Sequence, residues 1–200
     1  MELFEKLKRI IVSDKSDLLC KGNLWEFSKD KSRRNIVSTS DSKSYKYIEY
    51  TVWDDKKKFC VAIGFNPANS DVESPDDTNE RVRKELDNNG YGAYVLLNLF
   101  PQISADENTH HKDDEDEKFE KILPRLFDKI IESKTDVLIF WGRTAEVNND
   151  IRKCLIKLQK NKKLYITVKK GTNNHYHPAR VTIDIIQAKE DSIVTFASIK

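Results

Sequence analysis

The chain has 200 residues, of which 38% are hydrophobic and 34% are charged. This is enough for one globular domain with a sizeable core, or for one domain with a small appendage. No apolar run reaches the roughly 18 residues of a membrane span, and the charged start MELFEKLKR lacks the apolar core of a signal peptide. We therefore expect a cytoplasmic protein. Cys20, Cys60 and Cys154 fit neither a disulfide framework nor a zinc pattern, and the last two are expected to be reduced core residues.

The net charge of +2 is unevenly distributed. Residues 1–58 carry 14 basic and 10 acidic side chains, residues 59–120 carry 5 and 15, and residues 121–200 carry 16 and 8. A basic C-terminal segment suits a phosphate-rich partner, whereas the acidic middle would repel one. Two solvated faces of unlike charge would give the same counts, so composition leaves both interpretations open.

The first 54 residues are predicted to form an extension that packs on a main domain of residues 55–200. Residues 2–12 place their apolar side chains on one stripe, which predicts a short amphipathic helix. The segment SYKYIEYTVW (44–53) has the β-branched and aromatic residues of a strand. The charged run DDKKK (54–58) is interpreted as the turn into the main domain.

From residue 59 onward, predicted strands alternate with predicted helices. The strands cover 59–64, 93–98, 136–142 and 163–169, and the helices lie near 78–88, 116–133 and 144–160. This order predicts crossover connections and an α/β fold, a three-layer sandwich with a central, mostly parallel four-stranded sheet. Pro124 predicts a kink or a late start in its helix. The charged segment 104–118 is interpreted as a surface loop.

Each predicted strand ends in residues that a plain connection would not need. In open α/β sheets the ligand crevice lies outside the carboxyl ends of the strands, so we expect these ends to surround one crevice. An asparagine there can read the edge of an amide-like heterocycle or hold a water, and Pro67 restricts the backbone of Asn66. The four ends are Gly64-Phe65-Asn66-Pro67, Asn98-Leu99-Phe100-Pro101, Trp141-Gly142-Arg143 and His175-Tyr176-His177-Pro178.

Simpler interpretations of these ends remain open. Asn66-Pro67 is a common turn signal, and Trp141 would serve equally as a core aromatic. His175 and His177 would share one side of an extended segment, as metal ligands do, but no further ligand is near them in the sequence. We therefore predict no metal and no cofactor. Asn98, at the end of an apolar strand, is harder to explain as part of a simple connection, because a buried amide needs hydrogen-bond partners.

In their order along the chain, the four ends resemble the uracil-DNA glycosylase superfamily. GFNPAN (64–69) resembles its water-activating motif, and YVLLNLF (94–100) resembles the strand whose asparagine reads uracil. FWGRTA (140–145) resembles its Trp-Gly stretch, and HPAR (177–180) resembles its His-Pro loop. The succession GFNPAN, DDTNERVR, GYG, NLF, WG and HP resembles more closely a bacterial family of uncharacterised function, domain of unknown function 1643, over about residues 58–180.

The resemblance implies a role for each matching residue. Asn66 falls at the water-orienting position, which is Asp in most uracil glycosylases and Asn in the mismatch-specific branch. Asn98 falls on the base-reading amide, and His177 on the imidazole that stabilises the departing base after it is flipped out of the stack. Gly64, Phe65 and Phe100 would line the base site, with Phe65, Tyr91 and Phe100 as candidates for the stacking aromatic. The expected contacts to nucleic acid or a partner are Pro67, Asn69, Trp141, Arg143, Lys169, Lys170, His175 and Arg180.

Departures from the superfamily pattern predict a weakened or repurposed site. Ala68 replaces a tyrosine that excludes bulky bases, Asn69 replaces a histidine, and a serine and a leucine wedge are missing after Pro178. Asn66 cannot accept a proton, so it can only orient water. We therefore expect a pseudoenzyme that binds DNA, or a DNA-mimicking protein of the glycosylase-inhibitor type.

A mimic of this kind would suit the run of basic residues between positions 152 and 180. A solvated helix face and turn would explain that run equally well. Two alternatives stay open: an active glycosylase on uracil or a modified base, and a domain that binds nucleotides or small metabolites. The basic run consists of Arg152, Lys153, Lys157, Lys160, Lys162, Lys163, Lys169, Lys170 and Arg180.

Overall fold

The computed structural model describes most of the chain. The described residues are 2–14, 25–27, 32–38, 45–67, 77–103, 114–141, 145–147, 149–161, 164–172, 178, 182–188 and 197–199. The helices within these ranges are α1 (Glu2–Asp14), α2 (Asp77–Asn88), α3 (Asp114–Glu132) and α4 (Asn149–Asn161). The strands are β1 (Trp25–Phe27), β2 (Ser32–Ser38), β3 (Lys46–Val52), β4 (Lys58–Gly64), β5 (Tyr91–Asn98), β6 (Asp136–Ile139), β7 (Ala145–Val147), β8 (Leu164–Lys169), β9 (Ile183–Gln187) and β10 (Ala197–Ile199).

One mixed sheet organises the fold, in the strand order β1-β2-β3-β5-β4-β6-β8-β9. At its centre β5, β4, β6 and β8 run parallel to one another. The antiparallel strands β3 and β9 complete six strands around this centre, and the β1–β2 hairpin extends the edge beyond β3. The predicted α/β class is confirmed. The sheet is larger than the predicted four strands because the N-terminal segment and β9 add antiparallel strands at both edges.

Helices cover the two faces of the sheet unequally. Helices α1, α3 and α4 pack against one face, which carries Val61 and Ile63 of β4. Helix α2 packs on the other face through Val82 and Leu86, against side chains that include Ala62. We call this second side the α2 face. Because side chains alternate along a strand, the position of each strand-end residue decides which face it occupies.

The N-terminal segment shares the core of the main domain. The apolar stripe of α1 is buried, and the Phe4 ring stacks on Tyr50 of β3 at a centroid distance of 5.6 Å. A β-bulge where β2 pairs with β3 gives β3 one extra residue, so that Tyr47 and Ile48 both pack under α1 and α3. The amphipathic helix and the strand predicted here are confirmed, whereas the boundary at residue 54 stays a prediction.

Two predicted helices differ from those in the structure. Helix α3 begins at Asp114 and continues through Pro124, so a late start at the proline is excluded. Helix α4 begins at Asn149 rather than at 144, because residues 145–147 form β7 and pair in parallel with β10. None of the helices within the described ranges is long and apolar enough to cross a membrane.

Candidate functional site

The carboxyl ends of β4 and β5 lie side by side and form the centre of the candidate site. Gly64 pairs with Asn98 in the parallel ladder. Beyond this pair, the backbone N–H of Leu99 donates to the Gly64 carbonyl at 3.0 Å, and that of Phe100 donates to the Phe65 carbonyl at 2.9 Å. The first two predicted strand ends are therefore held together as one rigid edge.

Gly64 leaves room for the side chain of Asn98. A Cβ atom at position 64 would lie 2.8 Å from Oδ1 of Asn98 and 3.0 Å from Cζ of Phe140. The Asn98 side chain is only 3% exposed. It lies on the α2 face because it follows Tyr94 and Leu96 of that face at intervals of two residues. An amide that both donates and accepts is thus packed over the end of β4.

The aromatic residues at these strand ends occupy opposite faces. Phe65 and Phe100 meet edge to face, with centroids 4.9 Å apart, and both pack in the core beneath α1, α3 and α4. Phe140, by contrast, belongs to the α2 face and lies against Gly64. Phe140 is therefore the aromatic beside the Asn98 amide. Sequence reasoning missed it, because it was read as the interior of an apolar strand.

Tyr91 lies too far away to serve as the stacking aromatic. It begins β5, and Asn98 ends that strand, so at about 3.3 Å per residue the two are more than 20 Å apart. The Tyr91 hydroxyl donates to Oδ2 of Asp136 at 2.7 Å. Burial raises the pKa of Tyr91, and the hydrogen bond to Asp136 adds to this effect. Tyr91 thus belongs to the opposite end of the sheet.

Asn66 and Pro67 follow β4 at the same edge. Asn66 is half-buried and Pro67 is buried, so the predicted water-orienting amide is close to the Gly64–Asn98 pair along the chain. Asn69, Arg143, His175, His177 and Arg180 lie outside the described residues, and their roles stay predictions.

The remaining predicted contacts differ in exposure. Trp141 is 1% exposed and forms part of the core. This fits the simpler interpretation of Trp141 as a core aromatic rather than as a contact to nucleic acid or a partner. Lys169 and Lys170 are exposed at the end of β8. A turn holds them there, with the Lys170 N–H donating to the Thr182 carbonyl at 2.9 Å and with Gly171 at φ +75°. Two exposed lysines therefore lie at the edge of the sheet where the parallel strands end.

The described residues of the predicted basic run do not form one surface. Lys160 lies near the end of α4, just before β8 begins, whereas Lys169 ends β8, which separates them by roughly 15 Å or more. Lys153 and Lys157 form exposed ion pairs with Asp150 at 2.9 Å and Asp128 at 2.6 Å. This arrangement fits a solvated helix face for the α4 part of the run.

The first turns of α2 bring further polar groups toward the predicted His-Pro loop. Nη1 of Arg81 donates to the carbonyl of Pro178, in the predicted His-Pro loop, at 3.1 Å. Asn79 is 7% exposed and shares the buried stripe of α2 with Val82 and Leu86. Sequence reasoning missed both residues. The spacing of Asn79 with Val82 and Leu86 was a usable signal, since it puts all three on one face of a helix.

A small cavity lies at the opposite end of the α2 face. Its volume is about 10 Å³, and its lining includes Cys60, Tyr91 and Asp136, so it is about large enough for one water. Burial raises the pKa of the Cys60 thiol far above its usual range, which keeps it protonated and unreactive. Among the residues that the structure describes, no cluster of three or more His, Cys, Asp or Glu side chains is arranged to hold a metal.

Comparison with known proteins identifies a family. A family model described as "Protein of unknown function (DUF1643)" matches residues 46–179. No curated protein and no solved structure matches the chain. The matched span contains β3 to β8, and therefore the Gly64–Asn98 pair, Phe140, Lys169 and Lys170. Because the match covers more than half of the sequence, the chain belongs to the DUF1643 family.

Proposed function

We propose that this protein has a uracil-DNA glycosylase-like fold with a degenerate site. It binds DNA through the crevice at the carboxyl ends of the parallel strands, without efficient base excision. A DNA-mimicking protein of the glycosylase-inhibitor type is the alternative occupant of the same surface. The four central parallel strands, with helices on both faces, support the fold assignment. The free thiols of Cys60 and Cys154 support a cytoplasmic location.

The buried amide of Asn98 is the observation that carries this proposal. The Asn98 side chain is 3% exposed at a strand end, and its amide carries both donors and an acceptor, which are the groups that read the edge of a base. Gly64 makes room for it, and Phe140 lies beside it. An amide next to an aromatic ring, at the carboxyl end of a parallel sheet, suits an unstacked base, which needs hydrogen bonds to its edge and contacts to its ring.

Weak catalysis follows from the residue at position 66. An asparagine orients water but takes no proton, and general-base catalysis is typically worth about 10²–10⁴-fold. By the resemblance to the glycosylase superfamily, His177 would still supply a donor to the departing base. We therefore expect excision to be slow or absent while base recognition is retained.

Lys169 and Lys170 would supply the phosphate contacts. Both are exposed at the same edge of the sheet as Asn98, and each neutralised phosphate on single-stranded DNA steepens the salt dependence of binding by about 0.7 in log–log slope. We expect the double variant Lys169→Ala/Lys170→Ala to weaken DNA binding and to flatten the slope by up to about 1.4. Lys56→Ala/Lys58→Ala is the matched control, since these exposed lysines lie at the opposite end of the sheet.

The decisive experiment combines excision with binding. Wild-type protein and the Asn66→Asp variant, each in large excess over uracil-containing oligonucleotides, are assayed for abasic sites by strand cleavage. Binding of the same oligonucleotides by wild type and Asn98→Ala is measured by fluorescence anisotropy. We expect little or no excision by wild type, and binding that Asn98→Ala weakens at least about tenfold.

Other results would replace the proposal. Efficient excision by wild type that Asn66→Ala abolishes would make the protein an active glycosylase. Tight binding of a free base or nucleotide, with no affinity for oligonucleotides, would make it a metabolite-binding domain. Binding of DNA that is indifferent to Asn98→Ala would show that the crevice is not the binding site.

A further inference from the structure

A hydrogen bond ties the segment between β8 and β9 to helix α2. Nη1 of Arg81 donates to the carbonyl of Pro178 at 3.1 Å, across 97 positions of the sequence. Pro178 is buried, and within residues 177–180 it is the one that the structure describes. Because the donor is a guanidinium, the bond is charge-assisted and stronger than one between neutral groups. Arg81 thus holds a residue that lies outside both flanking strands.

The tether lies in the half of α2 that is nearer the candidate site. Helix α2 connects the parallel strands β4 and β5, so the chain returns along it from the carboxyl end of β4 to the amino end of β5. Leu86 accordingly lines the small cavity near the amino ends of the strands. Arg81 precedes Leu86 by five residues, which puts it about 7.5 Å further toward the carboxyl ends.

The tether also selects one side of the sheet. Val82, the neighbour of Arg81, packs into the α2 face together with Leu96 and Phe140. The Asn98 side chain lies on this face as well, two residues after Leu96. Pro178 is therefore held on the side of the sheet that carries the Asn98 amide and the Phe140 ring.

Two fixed points define the segment that carries His177. At its base, the backbone N–H of Lys170 donates to the carbonyl of Thr182 at 2.9 Å, and the second point is the bond from Arg81 to Pro178. The residue before a proline is largely restricted to extended backbone conformations. A fixed Pro178 therefore also limits the directions open to His177, which itself lies outside the described residues.

We propose that Arg81 is a positioning residue, which docks the His-Pro loop on α2 and thereby directs the His177 imidazole toward a base held at Asn98. This inference rests on the proposed function, because it takes the ligand of His177 to be a base. A guanidinium suits the task, since it stays protonated in proteins and its planar fork holds an acceptor in a defined direction. Arg81 contributes to recognition through the loop, and not through a phosphate contact of its own.

A double-mutant cycle tests whether Arg81 acts through His177. Wild type, Arg81→Met, His177→Ala and the double variant are titrated against a uracil-containing single-stranded oligonucleotide and followed by fluorescence anisotropy. We expect each single variant to lose about tenfold in affinity, and the double variant to bind no more weakly than His177→Ala. Losses that multiply to about a hundredfold would overturn the inference.

The salt dependence of the same titrations separates positioning from a direct phosphate contact. Arg81→Met should keep the log–log slope of wild type, because the loss of a phosphate contact would flatten it by about 0.7. Lys84→Met is the matched control, since it removes the same charge from an exposed position one turn further along α2. It should leave affinity unchanged. A flattened slope in Arg81→Met would overturn the inference.

Amide hydrogen exchange of residues 171–181, measured by mass spectrometry without DNA, tests the tether itself. We expect exchange there to be at least about tenfold faster in Arg81→Met and unchanged in Lys84→Met. Unchanged exchange in Arg81→Met, or faster exchange with wild-type affinity for the oligonucleotide, would overturn the positioning role alone. Failure of wild type to bind any oligonucleotide would overturn the proposed function together with it.

Discussion

The contact between Gly64 and Asn98 makes Gly64→Ala the sharpest test of the site. The added methyl group would lie 2.8 Å from Oδ1 of Asn98, whereas ordinary contacts begin at 3.4 Å. The amide must therefore withdraw by about 0.6 Å, and the Phe140 ring by a smaller amount. Overpacking of this kind costs about 1–3 kcal/mol of unfolding free energy. A displaced hydrogen-bonding group should also weaken ligand binding by about tenfold.

Two measurements on the same variants distinguish these effects. Urea unfolding gives the change in stability, and fluorescence anisotropy with single-stranded oligonucleotides gives the change in affinity. Gly90→Ala is the matched control, because Gly90 has φ +82° and open space around it, at the far end of the sheet. It should lose about 1–2 kcal/mol through backbone strain alone and keep its affinity. Wild-type stability and affinity in Gly64→Ala would refute the packing argument, and equal losses of affinity in both variants would refute the assignment of the site.

Three further predictions concern the rest of the fold. Gly92→Ala would put a Cβ atom 1.9 Å from the Asp54 carbonyl oxygen, so urea unfolding should show a loss of at least about 3 kcal/mol, and a smaller loss would mean that this turn relaxes freely. Hydrogen bonds from Lys57 and Trp53 hold the pKa of Asp87 below its usual value. Asp87→Asn should therefore destabilise the protein at pH 7, and the difference should disappear as the pH falls through the folded-state pKa; a difference that persists at pH 2 would contradict this. Pro124→Ala should raise the unfolding free energy by up to about 3 kcal/mol in the same assay, since α3 runs through this exposed proline. No gain would mean that the helix already bends at the proline without loss of stability.

The central strands were predictable from the sequence because they are buried on both faces. KFCVAIG and YGAYVLLN are nearly continuous apolar runs, as expected for parallel strands inside a sandwich. The edge strands were not predictable in the same way. IDIIQ of β9 is short and mixed in character, and AEV of β7 lies in a segment with helical local preference. Its strand conformation comes from pairing with β10, about fifty residues later, which local propensity does not report.

The sequence predicted which edge of the sheet holds the candidate site, but not which face of the sheet each side chain occupies. The strand-end rule located Gly64 and Asn98 at one edge, and the ladder register pairs them directly. It did not tell which aromatic shares the face of the amide, because Phe65 and Phe100 turn into the opposite core while Phe140 lies beside Gly64. The face that Tyr47 occupies depends on a single extra residue in β3, because a bulge breaks the alternation of side chains along the strand.

Helix α1 has a practical consequence for anyone who shortens this polypeptide. The family match begins at residue 46, yet the buried apolar stripe of α1 covers α3 and the Tyr50 ring of β3. A fragment trimmed to residues 46–179 would expose this apolar surface to water and would also lose β9 from one sheet edge. Contiguous apolar patches and unpaired strand edges promote aggregation. The trimmed fragment should therefore precipitate where the full chain stays dissolved.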